Sequence, residues 1–243
     1  MTTLLMSSKH SEDSQALWRA AIRRGWSVER ARGLKVPVIN EVEELIFYAE
    51  ALFAPSIAKS CGYQLLDPPE DWLVRLPDSL THRQIRLSQL SEARNLKQPA
   101  FIKPPNDKSF PAKVYDKGGE LSNAFDDDMA VLIATPVVWD LEFRCFCLDG
   151  KVRTHSPYVR NGELAKLSDF EMTKDESVNA IDFAESVLVN HNLGLPRAIV
   201  IDVGIIRDKG WSVVEANGAW GAGIYGCDPD SVLEVIRHAQ VRL

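Results

Sequence analysis

Near the C-terminal end of the chain two apolar runs, Ala198-Ile199-Val200-Ile201 and Val213-Val214, lead directly into Asp202 and into Glu215-Ala216-Asn217. A strand that is apolar at successive positions, rather than at alternate ones, is covered on both faces. Acidic groups inside such a strand are costly to bury unless paired or bound to a metal. The segment therefore points to a sheet covered on both sides, with a polar cluster set into it.

The turn Asp208-Lys209-Gly210 joins the two runs into a hairpin. A two-residue turn on Asp208-Lys209 sets Asp202 opposite Glu215, and one on Lys209-Gly210 sets it opposite Asn217. Directly paired residues share a face, as do residues two apart. Both registers therefore gather Asp202, Glu215 and Asn217 on one face. A three-residue turn without a bulge would undo this. Two carboxylates and a carboxamide suit a hard cation such as Mg²⁺, which is held by one or two carboxylates together with waters and substrate phosphates. A solvated strand face carrying ordinary polar residues is the alternative, and the pattern leaves both open.

A second signal is basic. Phe101-Ile102-Lys103-Pro104 puts a lysine at a strand end, and Lys108 and Lys113 follow across the loop 104–111. Arg144 lies in Leu141-Glu142-Phe143-Arg144-Cys145-Phe146, where Glu142, Arg144 and Phe146 share a face. Lysines with an arginine nearby can neutralise a polyphosphate, the arginine bidentately. Exposed loop lysines are the plainer alternative.

The remainder of the chain sets the context. A length of 243 residues allows one large domain or two small ones. With 45% hydrophobic and 26% charged residues, disordered, collagen-like and coiled-coil chains are excluded. No apolar stretch approaches the ~20 residues of a membrane span, and the N-terminus does not read as a secretory signal, so a cytoplasmic location is expected. The net charge of −6 argues against a nucleic-acid partner, although Arg19, Arg23, Arg24, Arg30 and Arg32 cluster early; a solvated helix face accounts for these. The four cysteines are too few for a disulfide framework, and Cys145 and Cys147 read as core.

Strands are expected over 3–6, 26–28, 44–49 and 63–66, alternating with helices over 12–24 and 55–60, a βαβ pattern with a small parallel sheet. A helix over 81–96 closes this half. Beyond it come strands over 100–103, 112–115, 131–134, 141–148 and 151–155, with a hairpin turn at Asp149-Gly150. A helix over 175–190, strands over 198–206 and 211–216 and a closing helix over 230–241 complete an α+β half. The P-loop, the dinucleotide fingerprint and the nucleophile elbow are all missing. Gly218-Ala219-Trp220-Gly221-Ala222-Gly223 leaves a strand without entering a clear helix, and the five histidines are dispersed.

Taken together these motifs resemble the ATP-grasp superfamily, particularly its clade named for one arginine and two lysines. The resemblance implies a fold that is part α/β and part α+β. A small Rossmann-like domain over 1–97 would precede a two-lobed ATP-grasp domain over 98–243. It implies ATP and Mg²⁺ as cofactors, with Asp202, Glu215 and Asn217 as metal ligands. Lys103, with Lys108 or Lys113, would meet the nucleotide, and residues 131–139 would form the hinge against which adenine stacks. Glu142 would stand at the far end of that hinge and Arg144 would face phosphate or the substrate acid. Arg83 or Arg86 would be the upstream basic residue. The loop after Asn217, with Trp220 and Tyr225, would cover the acceptor. The loop 104–111 departs from the family in lacking a glycine-rich run, which bears on how phosphates are covered. The implied reaction joins a small-molecule carboxylate to an amine through an acyl phosphate, with positioning and electrostatics dominating. His155 and Tyr158 are the candidates for a base. A phosphotransferase and a non-catalytic nucleotide-binding module are the competing readings. The oligomeric state is left open, a homodimer being one option.

Overall fold

The computed structural model describes residues 1–37, 43–106, 108–189 and 193–243. Asn190 at the end of the expected helix, His191 and position 107 in the basic loop lie outside the described residues. The chain opens with β1 (Thr2–Met6), α1 (Glu12–Arg23), β2 (Ser27–Arg30) and β3 (Glu44–Tyr48), whose strands pair in parallel in the order β2-β1-β3. Central β1 buries Leu4, Leu5 and Met6 in succession, because a parallel strand is covered on both faces. A capping box starts α1: Ser11 accepts from the Ser14 N–H at 3.1 Å, and the Ser14 hydroxyl accepts from the Ser11 N–H at 2.9 Å. α2 (Ala54–Ser60) then leads to β4 (Tyr63–Leu65), which stands outside the parallel layer and finds its partner only at the end of the chain.

After α3 (Asp78–Thr81) come β5 (Ile85–Gln89), α4 (Leu90–Arg94), β6 (Ala100–Lys103), β7 (Lys113–Tyr115) and β8 (Ala130–Ala134). The strands form an antiparallel sheet in the order β5-β8-β6-β7. The continuous helix expected over 81–96 is therefore incorrect. Ile85 and Leu87 are two apart, a spacing that suits a strand, and β8 supplies backbone partners along all of β5, from Ile85–Ala134 to Gln89–Ala130. Tertiary pairing overrides local preference here. Leu90, Ala93, Ile102, Phe110, Tyr115, Val131 and Ile133 close a core beneath this sheet.

β9 (Trp139–Leu148), β10 (Lys151–Arg160), β11 (Glu163–Leu164), α5 (Lys174–Leu188), β12 (Ala198–Ile206) and β13 (Gly210–Gly218) follow. Their strands make an antiparallel sheet in the order β11-β10-β9-β12-β13. Asp149 and Gly150 both take positive φ, as a tight hairpin turn requires. One face of the sheet packs Phe143, Cys145, Cys147, Ile199 and Ile201 on Ala180, Ala184 and Val187 of α5. The opposite face packs Phe146, Leu148 and Val200 on the parallel layer and on Val232, Leu233, Val235 and Ile236 of α6 (Pro229–Ile236). Arg23 and Arg24 of the early arginine cluster pair with Asp230 in the first turn of α6, at 2.6 and 3.0 Å. The closing helix expected to reach 241 stops at Ile236, since Gln240–Arg242 forms β14 and pairs antiparallel with β4. No helix among the described residues is long and apolar enough to cross a membrane.

Gly204 shows how closely β12 and β9 approach. A Cβ there would lie 2.4 Å from the Leu141 carbonyl oxygen and 3.1 Å from the Trp139 ring. The first obstacle is backbone and cannot move aside cheaply. Gly204→Ala is expected to lower stability by about 1–3 kcal/mol, the range for overpacking, read as a shift in the urea unfolding midpoint. An unchanged midpoint would contradict this packing.

Candidate functional site

The connection between β12 and β13 spans three residues, Arg207 to Lys209, with Ile206 opposite Gly210. Pairing continues through Ile205–Trp211, Gly204–Ser212 and Val203–Val213, then skips Val214 so that Asp202 meets Glu215. A three-residue turn alone would set Asp202 against Val214 and turn Glu215 and Asn217 to the other face. The single-residue bulge restores the face that a two-residue turn would have given. Asp202 is also directly paired with Arg144 on β9, which brings that side chain to the same face. β10 carries a bulge between Pro157 and Val159, and the extra residue, Tyr158, meets Glu142 and Arg144.

Asp202 has no exposed surface. Its two oxygens accept from Arg144 Nε at 2.9 Å and Nη2 at 2.6 Å, and Nη1 of the same guanidinium donates to the Gly223 carbonyl at 3.0 Å. The rings of Tyr158 and Tyr225 stack with centroids 5.1 Å apart and flank that guanidinium at 5.1 and 4.9 Å. Lys103, at the end of β6 in the other sheet, donates to Glu215 Oε2. The Asn217 amide donates to Glu215 Oε1 at 3.1 Å and lies 3.4 Å from Asp202 Oδ2. Tyr158 donates to Glu142 Oε2 at 2.7 Å.

Burial and charge act on these groups in opposite directions. Burial alone would raise the Glu215 carboxyl, but the Lys103 charge and hydrogen bond, joined by Asn217, take it down to about 2. For Asp202 burial outweighs Arg144 and the carboxyl is raised. Glu142 is pushed up to about 7 by burial and by the charges of Asp202 and Glu215, against the hydrogen bond from Tyr158. Burial likewise brings Arg83 down to about 10.

The sequence left Arg83 and Arg86 as equals, and the structure separates them. Arg83 is half-buried and donates to the carbonyls of Val213 (2.7 Å), Val214 (3.0 Å) and Thr81 (3.1 Å), with Trp139 beneath its guanidinium. Arg86 is half exposed and pairs with Glu92 and Ser88 at the surface. Lys113 pairs with Ile102, so it faces away from Lys103, and its ammonium stands 4.8 Å from the Tyr115 ring. Lys108 is exposed in the loop after β6. His155 is directly paired with Cys145 and turns toward α5, where it meets Ser177 at 2.8 Å and stacks on Phe143; it does not join the cluster. Sequence reasoning missed Asp13, whose carboxylate accepts from the Ile224 N–H at 2.9 Å, and Tyr48, whose hydroxyl donates to the Ala222 carbonyl at 3.1 Å. Both hold the loop after β13, and neither has a local signal: an acid in a first helical turn reads only as a dipole partner.

Among the described residues no three His, Cys, Asp or Glu side chains gather as a metal-holding group. Asp202 and Glu215 supply carboxylate oxygens and Asn217 a carboxamide, a hard-donor set that suits an ion completing its shell with water and phosphate. Arg144 neutralises Asp202 and Lys103 neutralises Glu215. The residues present fit a divalent cation that shares these oxygens with the two side-chain cations.

Two antiparallel sheets thus meet at a lysine–carboxylate pair, beside a parallel α/β layer. A family model for the ATP-grasp domain, family 2 of the clade named for one arginine and two lysines, matches residues 80–235, and the chain belongs to that family. No curated protein matches the sequence. Among solved structures, D-cycloserine synthetase DcsG is 15% identical, with a TM-score of 0.59 over 98% of this chain and 99% of its own. A RimK domain ATP-grasp protein from Sphaerobacter thermophilus is 12% identical, with a TM-score of 0.55 over 98% and 97%. D-alanine–D-alanine ligase from Bacillus anthracis complexed with ATP is 12% identical, with a TM-score of 0.51 over 97% and 96%. These similarities establish a shared fold.

Removing one partner of a buried ion pair leaves an uncompensated charge, so Arg144→Met is expected to destabilise by about 3–5 kcal/mol. Arg144→Met with Asp202→Leu should recover much of that loss in urea unfolding; equal losses in the single and double variants would contradict the pairing. The Glu215 carboxyl is lowered in the fold, so the stabilisation it gives is complete above its ordinary value of 4.5 and lost as pH falls through about 2. The stability gap between the natural protein and Glu215→Gln should accordingly narrow between those pH values. A gap independent of pH would rule out the charge pairing with Lys103.

Proposed function

We propose that the protein is an ATP- and Mg²⁺-dependent ligase that joins a small-molecule carboxylate to an amine, or to another nucleophile, through an acyl phosphate. The observation that carries this reading is the meeting of Lys103 from one sheet with Glu215 from the other, beside Asn217 and the Arg144–Asp202 pair. Phosphate-binding cations and oxygen donors for a hard metal thus share one locus between two sheets. The names of two structural neighbours, a ligase and a synthetase, point the same way, and one of them is complexed with ATP. The matched stretch opens at residue 80 and β5 belongs to the second sheet, which supports drawing the seam between the preceding domain and the grasp ahead of β5.

In this reading Lys103, with Lys108 on the loop beside it, binds the nucleotide phosphates, and backbone groups of β8 and the segment leading to Trp139 read the adenine. Lys113 and Arg86 take no part in that set. Asp202, Glu215 and Asn217 would hold Mg²⁺, which when bound neutralises phosphate oxygens and orients them for transfer. A carboxylate oxygen of the acceptor takes the γ-phosphoryl group, ADP leaves, and an amine nitrogen then displaces phosphate from the acyl carbon. The amine must give up a proton in that step. Glu142, held at about 7 and bonded to Tyr158, is the carboxyl poised to receive it near neutral pH. Tyr225 and Trp220 lie on the loop after β13, which Asp13 and Tyr48 hold against the acceptor side.

The test incubates purified protein with ATP, Mg²⁺ and pools of amino acids and small carboxylates, following ADP release and product mass. ADP with a condensed product that fails to form with Glu215→Ala is the expected outcome. ADP with only a phosphorylated product would make the protein a phosphotransferase instead. ATP at a hundredfold excess over its dissociation constant should stabilise the protein by about 2.7 kcal/mol, an increment that Glu215→Ala loses; stabilisation without turnover would favour a binding module.

A further inference from the structure

We infer that Arg83 is a positioning residue: it fixes the Val214 bulge, sets Glu215 and Asn217 on the face of Asp202, and is not a ligand of the nucleotide phosphates. The metal and nucleotide roles of that face rest on the reading above, whereas the hold on the bulge rests on geometry alone.

The site exists only because β13 skips one residue. With Val203 opposite Val213, an unbroken ladder would bring Val214 to Asp202 and put Glu215 opposite Ile201, whose face is packed on α5. The bulge therefore decides on which side of the sheet two of the three oxygen ligands stand. It also lies in the outermost strand, and among the described residues no further strand takes up its outward-pointing backbone groups. In a regular strand successive carbonyls point to opposite sides, and a single planar group cannot receive two in a row. At Val213 and Val214 consecutive carbonyls both turn toward Arg83, whose Nη1 and Nη2 donate to them at 2.7 and 3.0 Å. The fork of a guanidinium matches that pair of acceptors. Its third acceptor, the Thr81 carbonyl at 3.1 Å, anchors it to its own segment, and the Trp139 ring 5.1 Å below closes the pocket.

These contacts assign both terminal nitrogens of Arg83 to backbone, with Glu142 and Glu215 acting on it only through their charge. Three of its five N–H groups are committed in this way, and an end-on, bidentate grip on phosphate through Nη1 and Nη2 would have to release the bulge. Lysine is a poor substitute, because one ammonium on a flexible stem can neither span two carbonyls nor stack on Trp139.

Three variants test this: Arg83→Met, Arg83→Lys, and Arg83→Met combined with Glu215→Gln. Hydrogen exchange is measured on peptides spanning 210–218 of the unliganded proteins, and ATP affinity is measured with Mg²⁺ and again in EDTA. Both single variants are expected to speed exchange over 212–217 about tenfold or more, as loss of two charge-assisted bonds implies, while β9 and β10 keep their protection. The Mg²⁺-dependent gain in ATP affinity should fall by about tenfold, with affinity in EDTA unchanged within about twofold, and the double variant should bind Mg²⁺-ATP no more weakly than Glu215→Gln. Unchanged exchange at the bulge would overturn the inference. So would an equal loss of ATP affinity with and without Mg²⁺, the mark of a phosphate ligand. Should the natural protein bind no ATP, the reading of the site fails and the exchange result alone decides the role of Arg83.

Discussion

A carboxylate with no exposed surface, Asp202, is set into a sheet covered on both sides, and its two-pronged pairing with Arg144 is the constraint around which the neighbourhood is arranged. An isolated ion there would be untenable. The guanidinium that neutralises it must be held in turn, and two tyrosine rings and the Gly223 carbonyl do so. Tyr158 reaches that position through a bulge, and Gly223 lies on a loop fixed by Asp13 and Tyr48 from the parallel layer. One buried charge thus ties the first residues of the chain to the last sheet.

The second acid is treated differently. Glu215 is neutralised across sheets, by Lys103 at the end of β6, so its hold depends on the two lobes keeping their relative position. The Arg144–Asp202 pair joins adjacent strands of one sheet and is rigid by construction. The Lys103–Glu215 pair joins two different sheets and is partly exposed. A ligand that brings its own positive and negative charges would compete first for the second pair, where the hydrogen bonds are fewer and water has access.

Much of this was legible in the sequence where local alternation governs. The unbroken apolar runs of β12 and β13 signalled a covered sheet, and the period-two rule put Asp202, Glu215 and Asn217 on one face. The agreement has an instructive route: the turn has three residues, not two, and the bulge at Val214 compensates. What could not be read depends on contacts distant in sequence. Ile85–Gln89 is a strand because β8 pairs with it, and Gln240–Arg242 is a strand because β4 waits for it. Misreading the first as helix also left Arg83 and Arg86 undistinguished, because two of the acceptors of Arg83, the carbonyls of Val213 and Val214, lie 130 and 131 residues further along the chain. Asp13 and Tyr48 were invisible for the same reason.

The central claim is that oxygen ligands on the β12–β13 hairpin hold a divalent ion with the nucleotide. Paramagnetic resonance of Mn²⁺, used in place of Mg²⁺, reads this directly in the presence of ATP and the protein. The account predicts a protein-bound Mn²⁺–ATP signal that Glu215→Gln and Asn217→Ala each weaken substantially without unfolding the chain. A signal of equal intensity in both variants would contradict it, since the ion would then be held by something other than this hairpin.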